Sequence, residues 1–190
     1  MRRSKIGDVY AVKLQNGCKL LQRAYDVPRV GRFIRVFKGL YKEIPDNIQD
    51  IVSGPHEYII SFHASRAYRM GLFEFVCNCP VPVEHPLPED MFYFCSDGCG
   101  GISMINVTNI DHTNFRTFRV SRMEELPGVF RNLTHLSSVA SLDWLLYLLD
   151  TDWSPSNPPV FFPGSAGEDF SEILRSYSDM VKAAQERERL

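Results

Sequence analysis

The chain has 190 residues, of which 44% are hydrophobic and 23% charged, and its formal net charge is −2. These proportions are typical of globular proteins and exclude disordered and collagen-like chains, and the length is sufficient for one domain with a buried core. The longest apolar runs, such as residues 144–149, are far shorter than the ~20 residues of a membrane span.

Eight segments in the first two thirds of the chain are rich in β-branched and aromatic residues, which predicts strands. Asn16 and Gly17 follow the first segment and supply a hairpin turn signal. Four prolines between Pro80 and Pro88 predict a loop, because proline cannot donate a ladder hydrogen bond. The predicted strands are 8–14, 18–25, 32–37, 57–62, 72–76, 91–95, 102–107 and 115–120.

The last third of the chain carries helical patterns instead. Ser137 or Ser138 can cap a helix that runs through residues 143–149. Ser165 to Glu168 has the spacing of a capping box, and an apolar stripe with helical spacing follows it. The side chains expected to face inward from these two helices are Trp144, Leu145, Leu148, Phe170, Ile173, Leu174 and Tyr177.

This order of elements predicts an α+β fold: a mostly antiparallel twisted sheet or partial barrel with two C-terminal helices packed on it. We expect a single domain over residues 1–190. It consists of a β-rich part, 1–120, and a helical part, 121–190, which contains a proline-rich loop at 151–165.

The cysteines suggest a metal site but favour thiols. The count of five is odd, and Gly7 and Asp8 interrupt the basic start before any apolar stretch, so we predict no secretory signal and a cytoplasmic protein. Zinc could be held by two cysteine pairs with His85 between them, but a Cys-x-Cys spacing suits one face of a strand better than a zinc knuckle. We therefore expect no bound metal. The cysteines concerned are Cys77, Cys79, Cys95 and Cys99.

No coherent catalytic set emerges from the sequence. Cys95 or Cys99 with His112 and Asp111 could form a Cys–His arrangement, but no local signature supports it. The glycine-rich stretch 98–101 lacks the Lys-Ser/Thr pair of a phosphate-binding loop. We predict that the protein is not an enzyme, has no catalytic residues and uses no cofactor. No small-molecule ligand is evident.

The charge is distributed unevenly along the chain. Residues 1–42 contain eleven Lys and Arg against two Asp, a net charge of +9, whereas the remainder contains ten against twenty-one acidic residues, a net charge of −11. In the segment 29–42 basic residues interleave with Phe33, Phe37 and Tyr41, a composition that can bind single-stranded nucleic acid. A nucleic-acid-binding or general interaction module is therefore the alternative function, although a pI of about 6.2 argues against a dedicated nucleic-acid binder.

Three stretches resemble the immunity protein 26 family. Residues 6–17 contain a Gly-Asp, an aromatic-aliphatic strand ending in Leu, and a polar-Gly turn. Residues 70–76 form a Gly-x-aromatic strand ahead of the proline-containing loop, and residues 87–92 resemble the segment that leads into a further strand. The resemblance covers roughly residues 5–120.

The resemblance implies a small bacterial α+β protein from a polymorphic-toxin or contact-dependent-inhibition locus. Such a protein binds and neutralises a cognate toxin, often a nuclease, inside the producing cell. A nuclease is basic where it contacts phosphates, so an acidic surface would attract it. We expect the contact at the loop between Pro80 and Pro88 and at the turn after Cys95, where four carboxylates cluster in the sequence: Glu84, Glu89, Asp90 and Asp97.

Overall fold

The computed structural model describes residues 3–27, 31–61, 64–87, 92–96, 102–106, 117–120, 142–150 and 168–189. Within these ranges the chain forms eight strands and four helices. In chain order they are β1 Asp8–Leu14, β2 Gly17–Val27, β3 Gly31–Val36, α1 Ile48–Ser53, β4 Tyr58–Ser61, α2 Ala64–Arg69, β5 Phe73–Asn78, β6 Phe92–Ser96, β7 Ile102–Asn106, β8 Thr117–Val120, α3 Leu142–Asp150 and α4 Glu168–Arg189.

The first five strands form an antiparallel sheet in the order β4-β3-β2-β1-β5. The sheet is open, with β4 and β5 at opposite edges, so the first of the two predicted forms is confirmed and the partial barrel is not. Strands β6, β7 and β8 form a second, three-stranded antiparallel sheet. The chain is thus α+β, as predicted.

One face of the five-stranded sheet, the helical face, carries the larger core. Tyr10, Leu21 and Ile34 project from it and pack with residues of α2, α3 and α4. Because β4 and β5 lie at opposite edges, the chain must cross the sheet between them, and α2 makes that crossing on this face. Of the side chains predicted to face inward, Leu145, Leu148 and Tyr177 are buried here, which confirms that part of the prediction. The others lie outside the described side chains: Trp144, Phe170, Ile173 and Leu174.

The opposite face, the α1 face, is covered by α1 and by loop residues. Val9, Ala11 and Leu20 contribute to a smaller apolar cluster there, together with Val52 of α1. Neither α1 nor α2 was predicted from the sequence. Helices of six residues are marginal by themselves and depend on packing rather than on a long periodic pattern.

The β1–β2 hairpin turns one residue earlier than the sequence signal indicates. Leu14 pairs with Gly17, so the loop consists of Gln15 and Asn16, and Gly17 is the first residue of β2. A Cβ atom on Gly17 would overlap the carbonyl oxygen of Tyr41, since Cys18 and Tyr41 exchange backbone hydrogen bonds beside it. Glycine is required here for this close approach rather than for the turn itself.

The hairpin tip is attached to the C-terminal helices. Asn16 donates from its side-chain amide to a carboxylate oxygen of Asp150 (3.2 Å), and the backbone N–H of Gln15 donates to the hydroxyl of Tyr177 (3.2 Å). At the other end of α4, Glu188 pairs with Arg69 of α2 at 3.1 Å. These polar contacts fix α3 and α4 over the helical face. None of the helices in the described part of the chain combines the length and apolar character needed to cross a bilayer.

The start of β1 is held by Gly7 and Asp8. Gly7 has φ +89°, donates its N–H to the carbonyl of Arg23 (2.7 Å) and accepts from the N–H of Cys79 (2.9 Å). The buried carboxylate of Asp8 accepts from the N–H of Lys5 (2.7 Å) and from the side-chain amide of Asn78 (2.8 Å). This Gly-Asp pair, part of the resemblance above, thus joins β1 to β2 and to the residues that end β5.

These contacts generate a stability prediction for two glycines with positive φ. A Cβ on Gly7 would lie 2.6 Å from the carbonyl oxygen of Cys79, whereas a Cβ on Gly71 (φ +72°) meets nothing within 4 Å. We expect Gly71→Ala to lower the free energy of unfolding by about 1 kcal/mol, the cost of the left-handed conformation alone. Gly7→Ala should cost about 2–4 kcal/mol, because backbone must also move. Urea unfolding of the two variants provides the comparison, and equal losses would contradict the close approach.

Candidate functional site

A polar row crosses the middle of the α1 face. Gln22 of β2 and Arg35 of β3 pair in register and so project on the same side of the sheet. The Arg35 side chain is 0% exposed. Its Nη1 donates to Oε1 of Gln22 (2.9 Å) and to the carbonyl of Val52 (3.0 Å), while Nη2 donates to the carbonyl of Gly54 (2.7 Å). Arg35 therefore fastens the end of α1 to the sheet.

The remaining contacts of Arg35 involve rings. Its Nε donates to Nδ1 of His56 (3.3 Å), and its guanidinium carbon lies 4.9 Å from the centroid of the Phe37 ring. The acceptors that the structure gives to this guanidinium are all neutral. Burial lowers the pKa of Arg35 from its ordinary value, but an arginine remains charged at any physiological pH. The site thus contains a buried positive charge whose hydrogen-bond acceptors are neutral, while the carboxylate of Glu84 in the proline-containing loop also acts on it.

His56 is kept neutral by its position. Burial, followed by the charge of Arg35 and by His85, lowers the pKa of His56 to about 4. Its Nδ1 must be unprotonated to accept the hydrogen bond from Arg35. The His56 and His85 rings meet edge to face, with centroids 6.1 Å apart. Sequence reasoning gave His56 no role; only the fold places it beside a buried cation.

Residues 80–87, here called the proline loop, run across this face. The hydroxyl of Tyr25 donates to the carbonyl of His85, and the N–H of His85 donates to the carbonyl of Pro82 (3.1 Å). Leu87 packs against Phe33 and Ile59. At the other end, Gln22 donates from Nε2 to the carbonyl of Cys79 (2.9 Å), immediately before the loop begins. Both ends of the proline loop and its middle are therefore attached to the sheet.

The tip of the proline loop points into solvent. Val83 is 92% exposed and Glu84 is exposed beside it. Of the four carboxylates predicted to form the contact, Glu84 is the one that the described residues include. Glu89, Asp90 and Asp97 lie outside them.

The Cys-x-Cys pair lies where β5 ends. Cys77 pairs with Val9 of the α1 face and is half-buried, and Cys79 is 9% exposed. Their sulfur atoms are 3.5 Å apart. Both residues contribute to the apolar cluster of the α1 face, which is the placement expected for a strand face. Among the residues that the structure describes, no three His, Cys, Asp or Glu side chains group as metal ligands.

The other pair and the Cys–His hypothesis cannot be placed in the same way. Cys95 belongs to β6 by its backbone, while Cys99 lies outside the described residues, as do Asp111, His112 and the glycine-rich stretch.

The basic aromatic segment does not form an exposed stacking surface. Phe33 and Phe37 are each 1% exposed, and Arg35 is the buried guanidinium described above. Among the described residues of the segment, Lys38, Leu40 and Lys42 are exposed, while Arg32 and Tyr41 are half-buried. Bases stack on accessible aromatic faces, so the buried rings of Phe33 and Phe37 are not available for the alternative nucleic-acid function. Comparison of the chain with protein-family models, curated proteins and solved structures finds no match.

The site makes stability depend on pH. Because the folded pKa of His56 is about 4 and the unfolded value is near 6.5, the unfolded chain binds the proton first as pH falls. The stabilisation from neutral His56 is therefore complete above pH 6.5 and is lost progressively down to about pH 4. We expect His56→Asn to remove about 1–2 kcal/mol of this pH dependence, a value reduced for partial exposure. Urea unfolding from pH 4 to 8 measures it, and parallel curves for both proteins would contradict the assignment.

A second prediction concerns Arg35 itself. Arg35→Lys keeps the charge but cannot reach Gln22, Val52 and Gly54 together, so buried acceptors lose their donors. We expect a loss of about 2–4 kcal/mol in the free energy of unfolding. The control is Arg32→Lys, where a half-buried side chain with one hydrogen bond to Ser65 (3.0 Å) is replaced; its cost should stay near 0.5 kcal/mol. Similar losses of unfolding free energy in the two variants would show that the hydrogen bonds of Arg35 add little to stability.

Proposed function

We propose that this protein is a bacterial immunity protein that neutralises a cognate toxin by stoichiometric binding, without turnover. The observation that carries the proposal is the proline loop. It is attached to the α1 face of the sheet, and its tip is exposed to solvent. The resemblance to the immunity protein 26 family supplies the class of partner, and the loop supplies a surface with which to bind it.

The loop is suited to binding because its conformation is largely fixed in advance. Prolines at 80, 82 and 86 restrict the backbone, while Tyr25 holds the loop at His85 and Leu87 is packed into an apolar cluster. A segment that must be ordered on binding spends part of its interaction energy on that ordering. A loop that is already fixed retains that energy for the interface.

The tip offers an apolar group and a charge together. A single exposed valine is ordinary on a protein surface, but Val83 is adjacent to the exposed carboxylate of Glu84 on a loop that is attached at both ends. Interfaces combine a dry apolar centre with a polar rim. Complementary charge at the rim mainly raises the rate of association. A basic nuclease toxin would be attracted by Glu84 and would bury Val83.

The proposal requires that a neighbouring gene encode a secreted protein with a C-terminal toxin domain, and its absence would contradict the proposal. The binding experiment uses that toxin domain. Reversing the charge with Glu84→Lys should slow association at low salt by about threefold or more and weaken its dependence on ionic strength. Lys38→Glu is the matched control, since Lys38 is also exposed but lies in the basic segment; it should leave association unchanged. Stopped-flow association kinetics from 20 to 300 mM salt measure both, with urea unfolding as the check on folding.

Two further results would contradict the proposal. If the effect appears with Lys38→Glu and not with Glu84→Lys, the contact is misplaced. If the protein protects against the toxin at strongly substoichiometric ratios, binding by occupancy is wrong and turnover is required.

A further inference from the structure

The paired thiols at the end of β5 are placed for a reaction with each other. Cys77 and Cys79 have their sulfurs 3.5 Å apart and form no disulfide. A disulfide requires a separation of about 2.05 Å, so the two atoms need to approach by roughly 1.5 Å. The third described cysteine, Cys18, is buried elsewhere, beside Tyr41.

Two hydrogen bonds restrain the backbone of Cys79, whose side chain contacts Cys77. Its N–H donates to the carbonyl of Gly7 (2.9 Å) and its carbonyl accepts from Gln22 (2.9 Å). Closing a bond across a single intervening residue must therefore pull against two hydrogen bonds. Strained disulfides are more easily reduced than relaxed ones, so a bond formed here is a reversible one.

We propose that Cys77 and Cys79 form a reversible intrachain disulfide by exchange with a low-molecular-weight disulfide, and that this bond loosens the anchor of the proline loop. In the first step the Cys77 thiolate attacks one sulfur of the disulfide RSSR, forming a mixed disulfide and releasing RS⁻. The deprotonated Cys79 sulfur then attacks Cys77 Sγ and releases a second RS⁻. Two protein thiols are oxidised and one RSSR is reduced to two RSH.

Cys77 is the entry point because it is the more accessible of the two. Burial and its contact with Cys79 raise the pKa of the Cys77 thiol to about 11, and the thiolate is the attacking species. Exchange is consequently slow at neutral pH and accelerates as pH rises toward 11. A slow reaction at a half-buried pair responds to a sustained change in the thiol–disulfide balance rather than to a brief one.

The link to the proline loop runs through Cys79, which directly precedes Pro80. Gln22 holds the carbonyl of Cys79 with its Nε2 and is itself held at Oε1 by Arg35. A shift of Cys79 therefore weakens the first attachment of the loop. This part of the inference depends on the proposed function for its biological meaning, since the loop is the surface assigned to the toxin.

The first measurement detects the bond without any partner. Full-length protein is equilibrated in glutathione buffers of increasing oxidised fraction, free thiols are alkylated, and the chain is digested with a glutamate-specific protease. Cleavage after Glu74 and Glu84 yields residues 75–84, which contain Cys77 and Cys79 and exclude Cys95 and Cys99. We expect this peptide to appear unalkylated and two hydrogen atoms lighter than its reduced form. Full alkylation at every ratio, or a crosslink to another peptide, would overturn the proposal.

The second measurement tests the loop in the folded protein. The same protease acts on native protein at the exposed Glu84, and cleavage tracks the opened fraction of the loop. We expect oxidised protein to be cut about two- to tenfold faster than reduced protein, the factor for one lost neutral hydrogen bond. Equal rates after complete oxidation would overturn the link to the loop.

Matched variants complete the design. Cys18→Ser should behave as wild type in both assays. Cys77→Ser should form no bond within peptide 75–84, whereas Cys79→Ser should stop at the mixed disulfide between Cys77 and glutathione. Neither of these two variants should form the intrachain bond. The comparison of oxidised with reduced wild type decides the question even if a variant does not fold. None of these assays uses the toxin, so a failure here is distinguishable from a failure of the proposed function.

Discussion

The α1 face depends on the hydrogen bonds that the buried guanidinium of Arg35 donates. Removing a charge from water is costly unless it is well hydrogen-bonded, and here the bonds go to Gln22, to two carbonyls at the end of α1 and to His56. One side chain thereby fixes a neighbouring strand, a six-residue helix and an imidazole at once. Without it, α1 would depend on the apolar packing of Ile48, Ile51 and Val52, because so short a helix is not stable by itself.

The Arg35 network positions the proline loop at its start and in its middle. Gln22 connects Arg35 to Cys79, where the loop begins, and His56 connects Arg35 to His85 within it. The exposed tip is thus supported by groups that are themselves buried and fixed. An ordered loop on a rigid base is the arrangement in which binding by occupancy loses least to conformational entropy.

The helical face contributes most of the buried apolar core, whereas the α1 face carries the proline loop proposed as the binding surface. The helical face buries a large apolar cluster contributed by α2, α3 and α4, and its energetics come mainly from apolar area removed from water. The α1 face has a smaller apolar cluster and the buried hydrogen-bond network of Gln22 and Arg35. Changes on the α1 face can therefore alter the loop while the helical core remains intact.

The sequence by itself determined the number and order of the strands, the two C-terminal helices and the α+β class. Those features depend on the local spacing of apolar residues and on turn residues, both of which can be read from a short stretch of sequence. It also located the proline loop, since prolines exclude ladder pairing. The turn signal placed the β1–β2 turn one residue too late. Gly17 is needed for its close approach to the backbone of Tyr41, 24 positions away, and not for the turn, and no local pattern records that contact.

Tertiary structure alone decided which charged and aromatic residues are accessible. Arg35, Phe33 and Phe37 have the composition of a nucleic-acid-binding surface in the sequence and are core residues in the fold. The helices α1 and α2 and the neutral His56 likewise follow from strand register and from packing. The physical reason is that burial and pairing join residues distant along the chain, and no local pattern specifies which distant residues will meet.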